Sequence, residues 1–309
     1  MTETGSQPAA PEVDISSMRC VWNGQARLGE GVLWSPRRQQ VFWVDILSCQ
    51  IHALHVATGT HHAWRLSEEV SALAEREESS ELLIAMRSGL AHWSPDAHTP
   101  APPIWVRPET GRTGNRFNDG ACDAKGRFWV GSMDFDCQKA TGALYRVTPD
   151  GQSARLEDGF PVTNGPVWVD EGCTMLFTDT AGATVFAYPF DPERGTLGPR
   201  RVWLQLAPED GLPDGMTVDA AGRVWLCHWG GGCVTCRDPV SARELARVEL
   251  PVSQVTRCAF GDDDLRTLYV TTAREGLNEA ALAREPMAGG LFAVRVSQAG
   301  VAPARMASS

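Results

Sequence analysis

The sequence predicts an all-β chain, a six-bladed β-propeller with four-stranded antiparallel blades around a central channel. Two observations predict it. A short aromatic or aliphatic β-run recurs six times at a nearly constant step, and each recurrence is followed by a second alternating run, in most repeats closed by turn-forming residues. A third repetition, of oxygen-bearing side chains in front of glycine, shows where such a propeller would do chemistry.

The first run of each repeat covers residues 41–45, 82–85, 127–131, 175–179, 223–226 and 268–271. With Trp43, Ile84, Trp129, Phe177, Trp225 and Tyr269 as markers, the steps are 41, 45, 48, 48 and 44 residues. Roughly 45 residues is the length of a propeller blade. The second run covers residues 50–56, 89–93, 143–147, 184–188, 232–236 and 291–296, and its alternation suits a half-buried antiparallel strand. Turns follow at 57–59, 94–96, 148–151, 191–192 and 238–239, built from Gly, Pro, Asp and Ser. One short helix is expected after Asn278, whose side chain can cap it, with Pro286 ending it.

No linker interrupts the repeat, so residues 18–298 read as one propeller domain. Residues 1–17 are polar, small and uneven in charge, and read as a disordered segment. Residues 18–22 are expected to supply the outermost strand of the last blade and so close the ring. Residues 299–309 are expected to form a tail.

Composition narrows the function. The chain has 38 acidic and 28 basic residues, a net charge of −10. That balance disfavours nucleic acid and anionic membranes, which are bound by Lys and Arg. No apolar run reaches the ~20 residues of a membrane-spanning helix, and the N-terminus lacks a secretory layout. A cytoplasmic protein, monomeric or weakly self-associating, is expected. Nine cysteines, an odd number spread through the repeats, read as reduced thiols. Cys233 and Cys236 form a C-x-x-C pair, but they fall in one strand with no second pair nearby.

The candidate site lies in four segments: Glu30-Gly31-Val32-Leu33-Trp34, Asn118-Asp119-Gly120-Ala121-Cys122, Asn164-Gly165-Pro166-Val167-Trp168 and Asp214-Gly215-Met216-Thr217-Val218. One such pair alone reads as a turn. Four in one register of a propeller place Glu30, Asn118, Asn164 and Asp214 together at one mouth of the channel, at the last loop position before each inner strand. Two carboxylates and two amide oxygens make a donor set for a hard divalent cation, Ca²⁺, Mg²⁺ or Mn²⁺, with Zn²⁺ or Fe²⁺ also admissible. Asp262, Asp263 and Asp264 read as a solvated turn. His61, His62, His92 and His98 read as surface residues, and His228, beside Trp229, is a candidate substrate contact. No G-x-S-x-G elbow supports a serine hydrolase.

At these residues the chain resembles the gluconolactonase/regucalcin-like group known as SMP-30. The matching stretches are Leu28-Gly29-Glu30-Gly31, Phe42-Trp43-Val44-Asp45, Asn115-Arg116-Phe117-Asn118-Asp119-Gly120, Thr163-Asn164-Gly165-Pro166, Pro213-Asp214-Gly215-Met216, His228-Trp229-Gly230-Gly231-Gly232 and residues 268–274, spread over nearly the whole chain. The resemblance implies one divalent metal and hydrolysis of a sugar-derived lactone, such as glucono-, xylono-, arabinono- or galactonolactone, to the aldonic acid. It implies Glu30, Asn164 and Asp214 as metal ligands. Asn118 would be a fourth ligand or hold a water beside the metal, and Arg116 would bind substrate hydroxyls. Asp136 falls where some relatives place a substrate-contacting glutamate, and is shorter. Asp214 is the candidate general base. A non-catalytic, calcium-binding regulatory propeller is the alternative the same resemblance allows.

Overall fold

The computed structural model describes residues 10–97 and 99–308, so residues 1–9, His98 and Ser309 lie outside the described residues. Six antiparallel sheets form the six blades. Their inner strands are Gly29–Ser35, Val70–Glu75, Asn115–Cys122, Thr163–Val169, Leu212–Val218 and Val255–Gly261. Each packs against the next, and the sixth returns to the first, which closes the ring around the channel. Blade 4 carries an extra two-residue strand, Thr196–Leu197, beside the end of Thr184–Asp191.

The recurring aromatic runs are the second strands of the blades. All six marker residues are buried, Trp43, Ile84, Trp129, Phe177 and Trp225 at 1 % exposure or less and Tyr269 at 2 %. The apolar core is divided accordingly into six clusters, one at each blade-to-blade interface. Period-two alternation explains this: a middle strand has a neighbouring blade on each face, so it reads as a continuous buried run. The outermost strand of blade 1, His61–Arg65, is mostly exposed.

Blades 3 and 5 share a brace at the hairpin between inner and second strand. Asp123 pairs with Arg127 at 2.6 Å and accepts from Trp129 Nε1 at 2.8 Å. Asp219 does the same with Arg223 at 2.8 Å and Trp225 Nε1 at 3.1 Å. In blade 6 the corresponding acid, Asp262, accepts from Tyr269 Oη at 2.7 Å and from Thr267. Asp264 pairs with Arg295 and Asp263 accepts from Gln39, so all three acids of that turn have protein partners.

The ring closes with the N-terminal strand Val13–Trp22, which pairs with Leu291–Val296 as the outermost strand of blade 6. It starts at Val13 rather than at residue 18: residues 13–17, assigned above to a disordered segment, are held on the edge of the blade, Val13 opposite Val296. The C-terminal residues are not a free tail either. Gly300 bridges Asp219 of blade 5, and Met306 bridges Arg76 of blade 2. Met306 is 1 % exposed and joins the core between blades 2 and 3. Residues 300–306 thus form a strap across one end of the channel, above an apolar cavity of about 280 Å³ lined by Val32, Trp34, Cys122, Val218, Phe260 and Ala304 among others. The one α-helix among the described residues is Glu279–Arg284, capped by Asn278 Oδ1, which accepts from Ala281 N–H at 2.9 Å.

Candidate functional site

The ladder between inner and second strand slips at the same level in every blade. The irregularities fall at Glu30/Leu33, Val70/Ala72, Phe117/Gly120, Asn164/Val167, Pro213/Met216 and Val255/Arg257. A bulge turns a strand's side chains and re-aims one of them. Glu30 and Asn164 stand at the edge of the slip; Asn118 and Asp214 stand inside it. The four donors are therefore within the inner strands, not at the last loop position before them. The chain needs glycine here: Gly165 has φ +85°, and a Cβ on Gly31 would meet Ser71 O at 2.8 Å.

The structure brings Glu30, Arg116, Asn118, Asn164 and Asp214 into one cluster, each between 1 and 6 % exposed. Asn118 Nδ2 donates to Thr163 O at 2.7 Å and to Asn164 Oδ1 at 3.1 Å. Asn164 Nδ2 donates to Thr180 Oγ1 at 2.9 Å, which leaves its oxygen turned to the cluster. Arg116 Nη1 donates to Asn118 Oδ1 at 2.6 Å and to Phe117 O at 3.0 Å. Glu30 Oε2 accepts the Gly31 N–H at 2.9 Å.

Burial raises the pKa of Glu30. Burial and then the Glu30 carboxylate raise that of Asp214 well above the usual carboxylate range. Arg116 and Arg257 supply opposing positive charge, and burial lowers the pKa of both. Two desolvated carboxylates held close together are costly unless a cation lies between them. That cost, with the amide oxygens of Asn118 and Asn164 in the same buried cluster, fits a hard divalent cation. No group of three His, Cys, Asp or Glu side chains that could hold a metal ion is found among the described residues; the set here is two carboxylates and two amides.

Asp136 is not in the cluster. It sits on an exposed turn, with its backbone oxygen accepting from Gln138. The neighbour that interacts with Arg116 from this turn is Cys137, at φ 57°. His228 is fully buried; its Nδ1 lies 2.9 Å from Asp210 O and its Nε2 2.8 Å from Thr235 Oγ1. Both ring nitrogens are committed to blade 5, so His228 is structural rather than a substrate contact. Cys233 and Cys236 are free and buried, with pKa values pushed up by burial to about 11 and about 12.

Two residues of the site escaped the sequence reading. Asp119, 2 % exposed, follows Asn118 and forms an ion pair with Arg257 of blade 6. Asp119 stood inside the Asn-Asp-Gly triplet, but nothing in the sequence ties it to Arg257.

Fold and site together define a class: a six-bladed propeller with a buried, all-oxygen donor cluster in its channel. The chain belongs to the SMP-30/Gluconolactonase/LRE-like family, whose model matches residues 28–274. It is 35 % identical over 281 residues to a pentonolactonase of Haloferax volcanii, covering 89 % of this chain and 92 % of the relative. It is 33 % identical over 287 residues to the 6-deoxy-6-sulfogluconolactonase of Pseudomonas putida, covering 93 % and 97 %. Among solved structures, the calcium-binding protein regucalcin of Agrobacterium tumefaciens superimposes with a TM-score of 0.88 at 30 % identity, covering 93 % of this chain and 96 % of that one.

Proposed function

We propose that this protein is a divalent-metal-dependent lactonase that opens a sugar-derived lactone to its aldonic acid. The observation that carries the reading is the buried cluster of two carboxylates and two amide oxygens with a guanidinium beside it. Family membership and the lactonases among its relatives support it.

Glu30, Asn118, Asn164 and Asp214 would hold the ion, whether Ca²⁺, Mg²⁺, Mn²⁺, Zn²⁺ or Fe²⁺. When bound, it supplies positive charge at the lactone carbonyl oxygen, where negative charge develops as the carbonyl is attacked. Arg116, fixed by Asn118 and the Phe117 carbonyl, donates to substrate hydroxyls. Asp214 takes the proton of the attacking water; the ring C–O bond breaks, and the same proton passes to the departing ring oxygen. Asp136, at the exposed rim, is at most a contact to the far end of the substrate.

The test is acid release from fresh pentono- and hexonolactones by chelated enzyme refilled with each metal in turn. Metal-dependent release above the spontaneous rate, abolished in Glu30→Ala, is expected. Full turnover by Asp214→Asn with metal still bound would remove the base assignment. A second reading, a calcium-binding propeller without turnover, is favoured by the similarity to regucalcin. Tight calcium binding with no acid release across the panel would select it.

A further inference from the structure

Inner strands of blades 3 and 6 face each other across the ring, three places apart in a circle of six. Asp119 lies on the first and Arg257 on the second, and their side chains meet, 1 % and 11 % exposed respectively. The ion pair therefore spans the channel. It lies next to the donors, because Asp119 follows Asn118 in the chain, and Arg257 lines the apolar cavity on the other side.

Each partner also touches the backbone behind another donor. Asp119 Oδ2 accepts the N–H of Gly165, the residue after Asn164, at 2.8 Å, and Oδ1 accepts the Gly120 N–H at 2.7 Å. Arg257 packs on Gly215, the residue after Asp214: a Cβ there would meet Arg257 Cγ at 2.7 Å and Cβ at 2.9 Å. Thr256, its neighbour, donates from Oγ1 to the carbonyl of Gly29 at 2.6 Å, directly before Glu30. Blade 6 contributes no donor of its own, yet Thr256 and Arg257 reach the residues flanking Glu30 and Asp214, and Asp119 reaches the one beside Asn164.

We propose that the Asp119–Arg257 pair is a positioning device for the donor cluster: a crossbar that fixes the backbone behind Asn118, Asn164 and Asp214, so that the oxygens are in place before a cation arrives. This rests on the metal reading above. Its sign separates it from plain electrostatics. Removing Arg257 takes a positive charge from beside the site, and Coulomb attraction alone would then make a divalent cation bind more tightly. A positioning role predicts the opposite.

The experiment is calorimetric titration of Ca²⁺ and Mn²⁺ into the chelated full-length protein, with the thermal midpoint of each metal-free variant recorded alongside. Arg257→Met is expected to weaken binding by about tenfold or more, the scale on which residues supporting metal ligands act. Arg257→Lys, which keeps the cation, recovers part of the loss. Adding Asp119→Asn to Arg257→Met costs little further, since the two residues act as one unit. Unchanged or tighter binding by Arg257→Met overturns the proposal while leaving the metal site standing. If that variant does not fold, Arg257→Gln carries the same expectation. Failure of the unsubstituted protein to bind either ion, or Mg²⁺, Zn²⁺ or Fe²⁺ titrated in the same way, overturns the metal reading, and this inference with it.

Discussion

His52 is buried in blade 1, stacked on Trp43, with its Nδ1 3.1 Å from His61 Nε2. Burial, and then the neighbouring His61, lower its pKa from 6.5 to about 4. The unfolded chain takes up this proton below about 6.5, while the native state resists it until about 4. The stability His52 contributes is therefore complete above that window and is lost as pH falls through it, by on the order of 2–3 kcal/mol for one group. Urea midpoints measured between pH 4 and 7.5 should fall with pH in the unsubstituted protein and fall less in His52→Phe. At this scale the clustering of Glu30, Asn118, Asn164 and Asp214 was legible, because an oxygen side chain ahead of glycine is a local signal and four copies reinforce each other. His228 was not: its glycine-rich surroundings suggested a binding loop, and only the fold reveals that Asp210 and Thr235 occupy both its nitrogens.

The elements were read more fully than their edges. Second strands were legible because burial on both faces leaves continuous apolar runs, third strands because a short alternation recurs behind each of them, and the helix because Asn278 announces its start. Inner strands were harder. Their bulges place two residues opposite one, which breaks the alternation a sequence is searched for, so the donors were put in loops. The terminal segments were misjudged for a related reason: residues 13–17 and 300–306 mix small, polar and apolar side chains with no recurring run, and they are ordered by the blades they meet rather than by their own propensity. Met306 is the anchor of the C-terminal strap. Its backbone N–H donates to Glu75 O at 2.8 Å, and Arg305 Nε lies 2.9 Å from Glu75 Oε2. Met306→Ala should cost about 2–4 kcal/mol, the usual range for emptying a buried methionine site. A matched pair of denaturant titrations on the two proteins checks it; a loss under 0.5 kcal/mol, on the scale of an ordinary surface substitution, would mean the strap is not part of the core.

For the whole molecule, the ring makes stability and ligation one problem. Glu30, Asn118, Asn164 and Asp214 come from four blades, so on the metal reading proposed above a cation would add a further tie between sheets that meet through apolar interfaces and a few polar contacts. A ligand present at about a hundred times its dissociation constant adds about 2.7 kcal/mol. In a chain of this size that corresponds to a rise of roughly 5 °C in thermal midpoint. Chelation should reverse the rise, and Glu30→Ala should show none of it in a thermal-shift series with and without metal. The six-fold architecture was legible because the repeat is strung along the chain, whereas the Asp119–Arg257 contact joins opposite sides of the ring and leaves no pattern in sequence. That crossbar, and the strap beyond it, have a kinetic consequence. With the channel barred behind the donors, whatever reacts there enters and departs through a single doorway. Departing acid and incoming lactone then contend for the same path, so inhibition by product should be competitive, and turnover at high conversion should be governed by how fast the doorway clears.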